Sequence, residues 1–117
     1  MPDSPKPAVE VFFTPEFKRN VRALAKKYHH IQSDVQPIIE QLQHGEFIGD
    51  QVRGTGYAIF KVRIRNSDIS RGKSGGYRVI YYLKTETAII LVTIYSKTEQ
   101  SDISSAKIKK ILSEFSK

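Results

Sequence analysis

Lys61, Arg63 and Arg65 recur at every second residue, the spacing that puts side chains of an extended strand on one face. Each step along such a row covers about 6–7 Å, comparable to the spacing of phosphates along a nucleic-acid strand. The row can therefore track a polyanionic backbone. A second group follows in Arg71-Gly72-Lys73-Ser74-Gly75-Gly76-Tyr77-Arg78, where cations alternate with glycines that let a backbone approach phosphate closely. Arg78 falls just inside the next strand, where its guanidinium can be held as a rigid fork, which suits a phosphate better than a mobile lysine does. A third group is Tyr95-Ser96-Lys97-Thr98-Glu99-Gln100-Ser101-Asp102, at the carboxyl end of the most apolar strand. There Lys97 could face a phosphate, Tyr95 could stack a base or exchange a proton, and Glu99 could orient a cation. The structural alternatives are that Tyr95 is core and that Ser101 or Asp102 caps a helix.

The charge distribution singles out the same region. Of the net charge of +7, six units lie within residues 53–78, which carry Arg53, Lys61, Arg63, Arg65, Arg71, Lys73 and Arg78 against a single acid, Asp68. An imbalance this local points to a polyanion partner, most often nucleic acid, or to a solvated basic face. An edge strand also carries charge to block aggregation, but one or two lysines suffice for that, and here three cations align beside a cationic loop. Lys18, Arg22 and Lys26 read as a solvated helix face.

Several chemistries are excluded. The chain has no cysteine, hence no disulfide, thiolate nucleophile or zinc–cysteine site. His29, His30 and His44 lack partners at a metal-like spacing and read as surface residues. No Walker A loop, nucleophile elbow or dinucleotide fingerprint is present. A helix-turn-helix does not fit, because the only helical pair is not the basic part.

The elements that must position these groups follow from periodicity. Residues 9–13 predict a strand, and Thr14-Pro15 an N-cap with proline at the first helical position. Phe17, Val21, Leu24 and Tyr28 form one helical face. Ser33, with Gln36 at capping-box spacing, predicts the start of a second helix built on Val35, Ile38, Ile39 and Leu42 and stopped at Gly45. Strands are expected over 57–65, 77–83 and 88–95. In the first of them Ala58, Phe60, Val62 and Ile64 face one way, and Tyr57, Ile59, Lys61, Arg63 and Arg65 the other. Ser104 opens a last helix with Ile108, Ile111, Leu112 and Phe115 buried, and Ile103 stapled against Ile108. The result is an α+β fold of order β-α-α-β-β-β-α: a small, mostly antiparallel sheet with an N-terminal helical hairpin and a C-terminal helix. Residues 1–8, with three prolines, read as a disordered lead and not a signal peptide, and 9–117 as one domain. No apolar run reaches membrane-span length, and with no cysteine and no signal peptide read, the cytoplasm is the default compartment.

The run FKVRIR … GKSGGYRVIYYL … ILVTIYSKTEQSDIS … IKKIL resembles the RelE/ParE superfamily of toxins from bacterial toxin–antitoxin modules, and within it the HigB-like branch. The resemblance covers residues 9–115 and implies the RelE-like fold, whose element order agrees with the one read above. It also implies a ribosome-dependent endoribonuclease that cleaves messenger RNA in the A site, with a cognate antitoxin as partner and no metal or cofactor. The chemistry implied is that of metal-free ribonucleases: the 2′-hydroxyl attacks its neighbouring phosphate and expels the 5′-oxygen. Such a reaction needs a base, an acid and cations around the phosphorane, each acid–base partner giving ~10²–10⁴-fold.

By the same resemblance, Lys61 and Arg63 match the basic pair on the second strand of RelE-type nucleases, Arg78 a phosphate clamp, and Lys97 a lysine after the last strand. Arg65, Arg71 and Lys73 join Arg63 as phosphate-binding residues. The arginine that the best-known RelE pattern places next is Thr98 in this chain, and its catalytic tyrosine aligns with Ser104. Acid and base must come from elsewhere, with Tyr95, Lys73 and Lys97 as the candidates. Two other readings stay open: a ParE-like inhibitor of DNA gyrase, and a non-catalytic RNA- or ribosome-binding module.

Overall fold

The computed structural model describes residues 8–69 and 75–115. Among them the order is β1 (Glu10–Phe13), α1 (Pro15–Ala25), α2 (Ile31–Gln43), β2 (Asp50–Val52), β3 (Ile59–Ile64), β4 (Tyr77–Thr85), β5 (Ala88–Ser96) and α3 (Ser105–Phe115). The α+β class, the helical hairpin and the C-terminal helix are as expected. The order gains one strand, β2, which is three residues long with Asp50 and Gln51 exposed. A segment this short has no apolar alternation from which to read it.

The strands form one sheet in the order β1-β5-β4-β3-β2, antiparallel except for β1, which runs parallel to β5. One face carries Val62, Ile64, Tyr77, Val79, Tyr81, Ile89, Leu91 and Ile94 and packs on Phe17, Leu24, Val35 and Leu42 of the hairpin. The other face carries Ile59, Ile80, Ile90 and Val92 and packs on Ile108, Ile111 and Leu112 of α3. Burying side chains of this size contributes about 1.5–3 kcal/mol each, so these two stripes fix where the helices sit.

Local chemistry sets the helix ends. Thr14 accepts the Phe17 N–H at 3.0 Å and donates its hydroxyl to the Val92 carbonyl at 2.7 Å, so the α1 cap also pins the helix to β5. The second helix starts at Ile31, not at Ser33. Ile31 is fully buried and draws the first turn into the core, and Ser33 Oγ donates back to the His30 carbonyl at 2.9 Å instead of capping. At α3 the expected cap is present, with Lys107 N–H donating to Ser104 Oγ at 3.1 Å. Ile103 packs on the α3 cluster. No helix among the described residues is long and apolar enough to cross a membrane.

Candidate active site

The alternation read along β3 holds: Phe60, Val62 and Ile64 turn to the hairpin side, and Ile59 to the α3 side. Lys61 and Arg63 therefore project on the α3 side. Lys61 does not lie on an edge, because β2 pairs with β3 there, Asp50 opposite Lys61. Edge protection does not account for this lysine.

Strand register assembles the rest. Arg63 lies opposite Arg78, and Arg78 opposite Tyr95, so the three form a row across β3, β4 and β5. The row occupies the end of the sheet where β3 and β5 finish and β4 begins, and Tyr95 joins it to the apolar cluster under α3, of which its ring is a buried member. Two arginines directly opposed on one face repel each other, which a sheet built for stability alone would avoid.

Arg78 is 8% exposed. Its Nη1 donates to the carbonyls of Tyr77 at 3.2 Å and Gly75 at 3.4 Å. Among the described residues no carboxylate forms an ion pair with it. A buried guanidinium without a counter-ion is costly, and an incoming anion would relieve that cost. The window's single acid is turned away from the cluster. Asp68 accepts the His30 backbone N–H at 3.0 Å and approaches His30 Nδ1 to 2.6 Å, while Asp34 accepts both the N–H and the hydroxyl of Ser67 at 3.0 Å. These carboxylates strap the segment after β3 to the start of α2.

Gly76 sets the position of Arg78. Its φ is +90°, and a Cβ there would collide with the Ile64 carbonyl oxygen. Its own carbonyl accepts the Lys97 N–H at 2.9 Å, joining the start of β4 to the end of β5. Gly76 thus serves close packing of backbone on backbone.

Tyr95 is 5% exposed, and its hydroxyl lies 3.5 Å from Asp102 Oδ1. Burial raises its pKa and the Asp102 charge adds to this, while Arg78 opposes it. Asp102, in sequence only a possible cap, is instead the carboxylate of the cluster. Its Oδ1 accepts the Ile103 N–H at 2.8 Å and the Lys61 ammonium at 3.3 Å. The Ile103 N–H is the main cause of its lowered pKa, with Lys61 and then Lys97 reinforcing it against desolvation. The one sequence signal for it is its place at the carboxyl end of β5, beyond Tyr95 and Lys97.

The other expected residues divide. Lys97 Nζ donates to the Ser101 carbonyl at 2.7 Å, inside the loop after β5, and its charge reaches Asp102. Arg63 and Arg65 are exposed and form no ion pair among the described residues. Arg71 and Lys73 lie outside the described residues. Glu99 orients a cation, but a distant one: it takes Lys27 at 3.1 Å and lies 3.4 Å from the Tyr28 hydroxyl, strapping its loop to the hairpin. The two positions that depart from the RelE pattern are occupied locally, Thr98 with the Ser96 hydroxyl at 2.9 Å and Ser104 as the α3 cap.

A family model described as the RelE toxin of the RelE/RelB toxin–antitoxin system matches residues 9–117. The chain belongs to the RelE toxin family. It is a toxin of a toxin–antitoxin system, and an antitoxin is its implied partner. In this RelE-family toxin, Lys61, Arg63, Arg78 and Tyr95 lie on one sheet face, and Asp102, from the loop after β5, reaches Lys61 and Tyr95, a combination of cations, a phenol and a carboxylate suited to phosphodiester chemistry.

Proposed function

We propose that this toxin is a ribosome-dependent endoribonuclease of the HigB-like branch, acting in the cytoplasm on messenger RNA held in the ribosomal A site. Residues 9–117 act as its single functional domain. The observation that carries the reading is the buried Arg78 guanidinium, with no carboxylate partner among the described residues, in a row with Arg63 and Tyr95. A phosphate placed against Arg78 and Lys61 gains charge as the 2′-oxygen attacks, and fixed cations bind that charge more strongly in the transition state than in the ground state. The ribosome contributes orientation: holding the 2′-hydroxyl in line with the 5′-oxygen replaces much of the entropic barrier.

Primer extension on a reporter message translated in vitro tests this. Cuts inside codons, present only with toxin and with translating ribosomes, are expected. An intact message alongside inhibited DNA supercoiling would overturn the proposal in favour of gyrase, and an intact message on stalled ribosomes in favour of a non-catalytic binder.

A further inference from the structure

The reaction needs a proton donor and a proton acceptor, and two residues of the best-known RelE pattern, the arginine proposed as general acid and a catalytic tyrosine, are replaced in this chain by Thr98 and Ser104. Lys61 and Lys97 are cations held against oxygen acceptors, and burial keeps Tyr95 protonated. Asp102 has the opposite character. Three donors converge on its Oδ1, from Ile103 N–H, Lys61 Nζ and Tyr95 OH. Its Oδ2 accepts no hydrogen bond from a described residue. The side chain is 67% exposed, against 33% for Lys61, so the free oxygen is open to a ligand lying on the lysine.

Resting on the nuclease reading above, we propose that Asp102 is the general base of this toxin and Tyr95 its general acid. The 2′-O–H bond breaks as Asp102 Oδ2 takes the proton, and the 2′-oxygen bonds to phosphorus. The bond from phosphorus to the 5′-oxygen breaks, and that oxygen takes the Tyr95 phenolic proton. The products are a 2′,3′-cyclic phosphate and a 5′-hydroxyl. Asp102 then gives up its Oδ2 proton to water and the Tyr95 phenolate takes one from water, so both groups are reset with no net change in protons. The donors on Oδ1 fix the carboxylate and make it a weak base, which places the expected loss on removing it near ~10²-fold, at the low end for a proton-transfer partner.

The test is single-turnover cleavage on programmed ribosomes, with wild type, Asp102→Asn and Tyr95→Phe, on two messages. One is natural; the other carries a single 5′-bridging sulfur at the scissile bond, whose thiolate leaves without protonation. Asp102→Asn keeps an oxygen to accept the Ile103 N–H, and a urea midpoint checks that each variant is folded. Expected is a rate loss of about 10²-fold or more for both variants on the natural message. Sulfur should restore Tyr95→Phe and leave Asp102→Asn slow, a split that a purely structural role would not give. If wild type cleaves and Asp102→Asn matches or exceeds it, the proposal is overturned while the nuclease reading stands. Equal rescue of both variants by sulfur also overturns it. If wild type cuts neither message, the nuclease reading fails and takes this one with it.

Discussion

Arg78→Met should leave the fold intact or make it firmer while removing most of the activity. The methionine keeps an unbranched side chain and removes the charge. Lost are the two hydrogen bonds from Nη1 to the Tyr77 and Gly75 carbonyls, at 3.2 and 3.4 Å. Such bonds contribute about 0.5–1.5 kcal/mol each, and these are long. Gained is relief from burying a guanidinium without a carboxylate and from its opposition to Arg63. Exchanging buried ionic groups for apolar ones is often neutral or stabilising by about 1–4 kcal/mol. The net change in unfolding free energy should lie between about zero and 2 kcal/mol in favour of the variant. Activity should fall about 10²–10³-fold, the usual loss on deleting one fixed donor to a developing oxyanion. Urea unfolding and single-turnover cleavage on programmed ribosomes, run on the same preparations, measure both. A variant destabilised by more than about 2 kcal/mol that still cleaves at the wild-type rate would refute the reasoning, because Arg78 would then be a structural residue.

Two further outcomes follow from the same geometry. Gly76→Ala meets a positive φ and a clash with the Ile64 backbone, so a loss of about 1–3 kcal/mol or more in urea unfolding is expected, with cleavage reduced as Arg78 shifts. The His30–Asp68 pair gives a pH dependence: its hydrogen bond raises the His30 pKa, and Asp68 is lowered chiefly by the His30 backbone N–H. The stability gained at His30 is present below the ordinary histidine value and fades as pH rises through the raised one. That gained at Asp68 is present above the ordinary aspartate value and fades as pH falls through the lowered one. The urea midpoint of wild type should therefore drop between pH 6 and 8 relative to His30→Gln, and equal slopes would show that the pair contributes nothing.

Much of the architecture is legible in the sequence because it rests on local pattern. The period of two from Tyr57 to Arg65 separates Lys61 and Arg63 from Val62 and Ile64, and the structure keeps that division. Thr14-Pro15 and Ser104 mark real helix starts, since a cap needs only a hydroxyl before a turn. Where tertiary packing decides, the pattern misleads. Ser33 has capping-box spacing, but buried Ile31 begins the helix earlier. The short β2 exists only because β3 offers it an edge.

The site is legible as a set of residue types and not as an arrangement. That Arg63, Arg78 and Tyr95 form one row depends on register across three strands, which no single segment encodes. Asp102 is hidden for a related reason: an aspartate before a helix reads as a cap, and only the packing of the loop after β5 brings it to Lys61. Asp68 is the one acid within the basic window, yet its partner is His30 at the start of α2.

The end groups of the cut message test the central claim most directly. After incubation with toxin and translating ribosomes, the downstream fragment should carry a 5′-hydroxyl, labelled by polynucleotide kinase without prior phosphatase, and the upstream fragment a 2′,3′-cyclic phosphate. A 5′-phosphate facing a free 3′-hydroxyl would mean that water and not the 2′-oxygen attacked, and the roles assigned to Arg78, Tyr95 and Asp102 would be wrong.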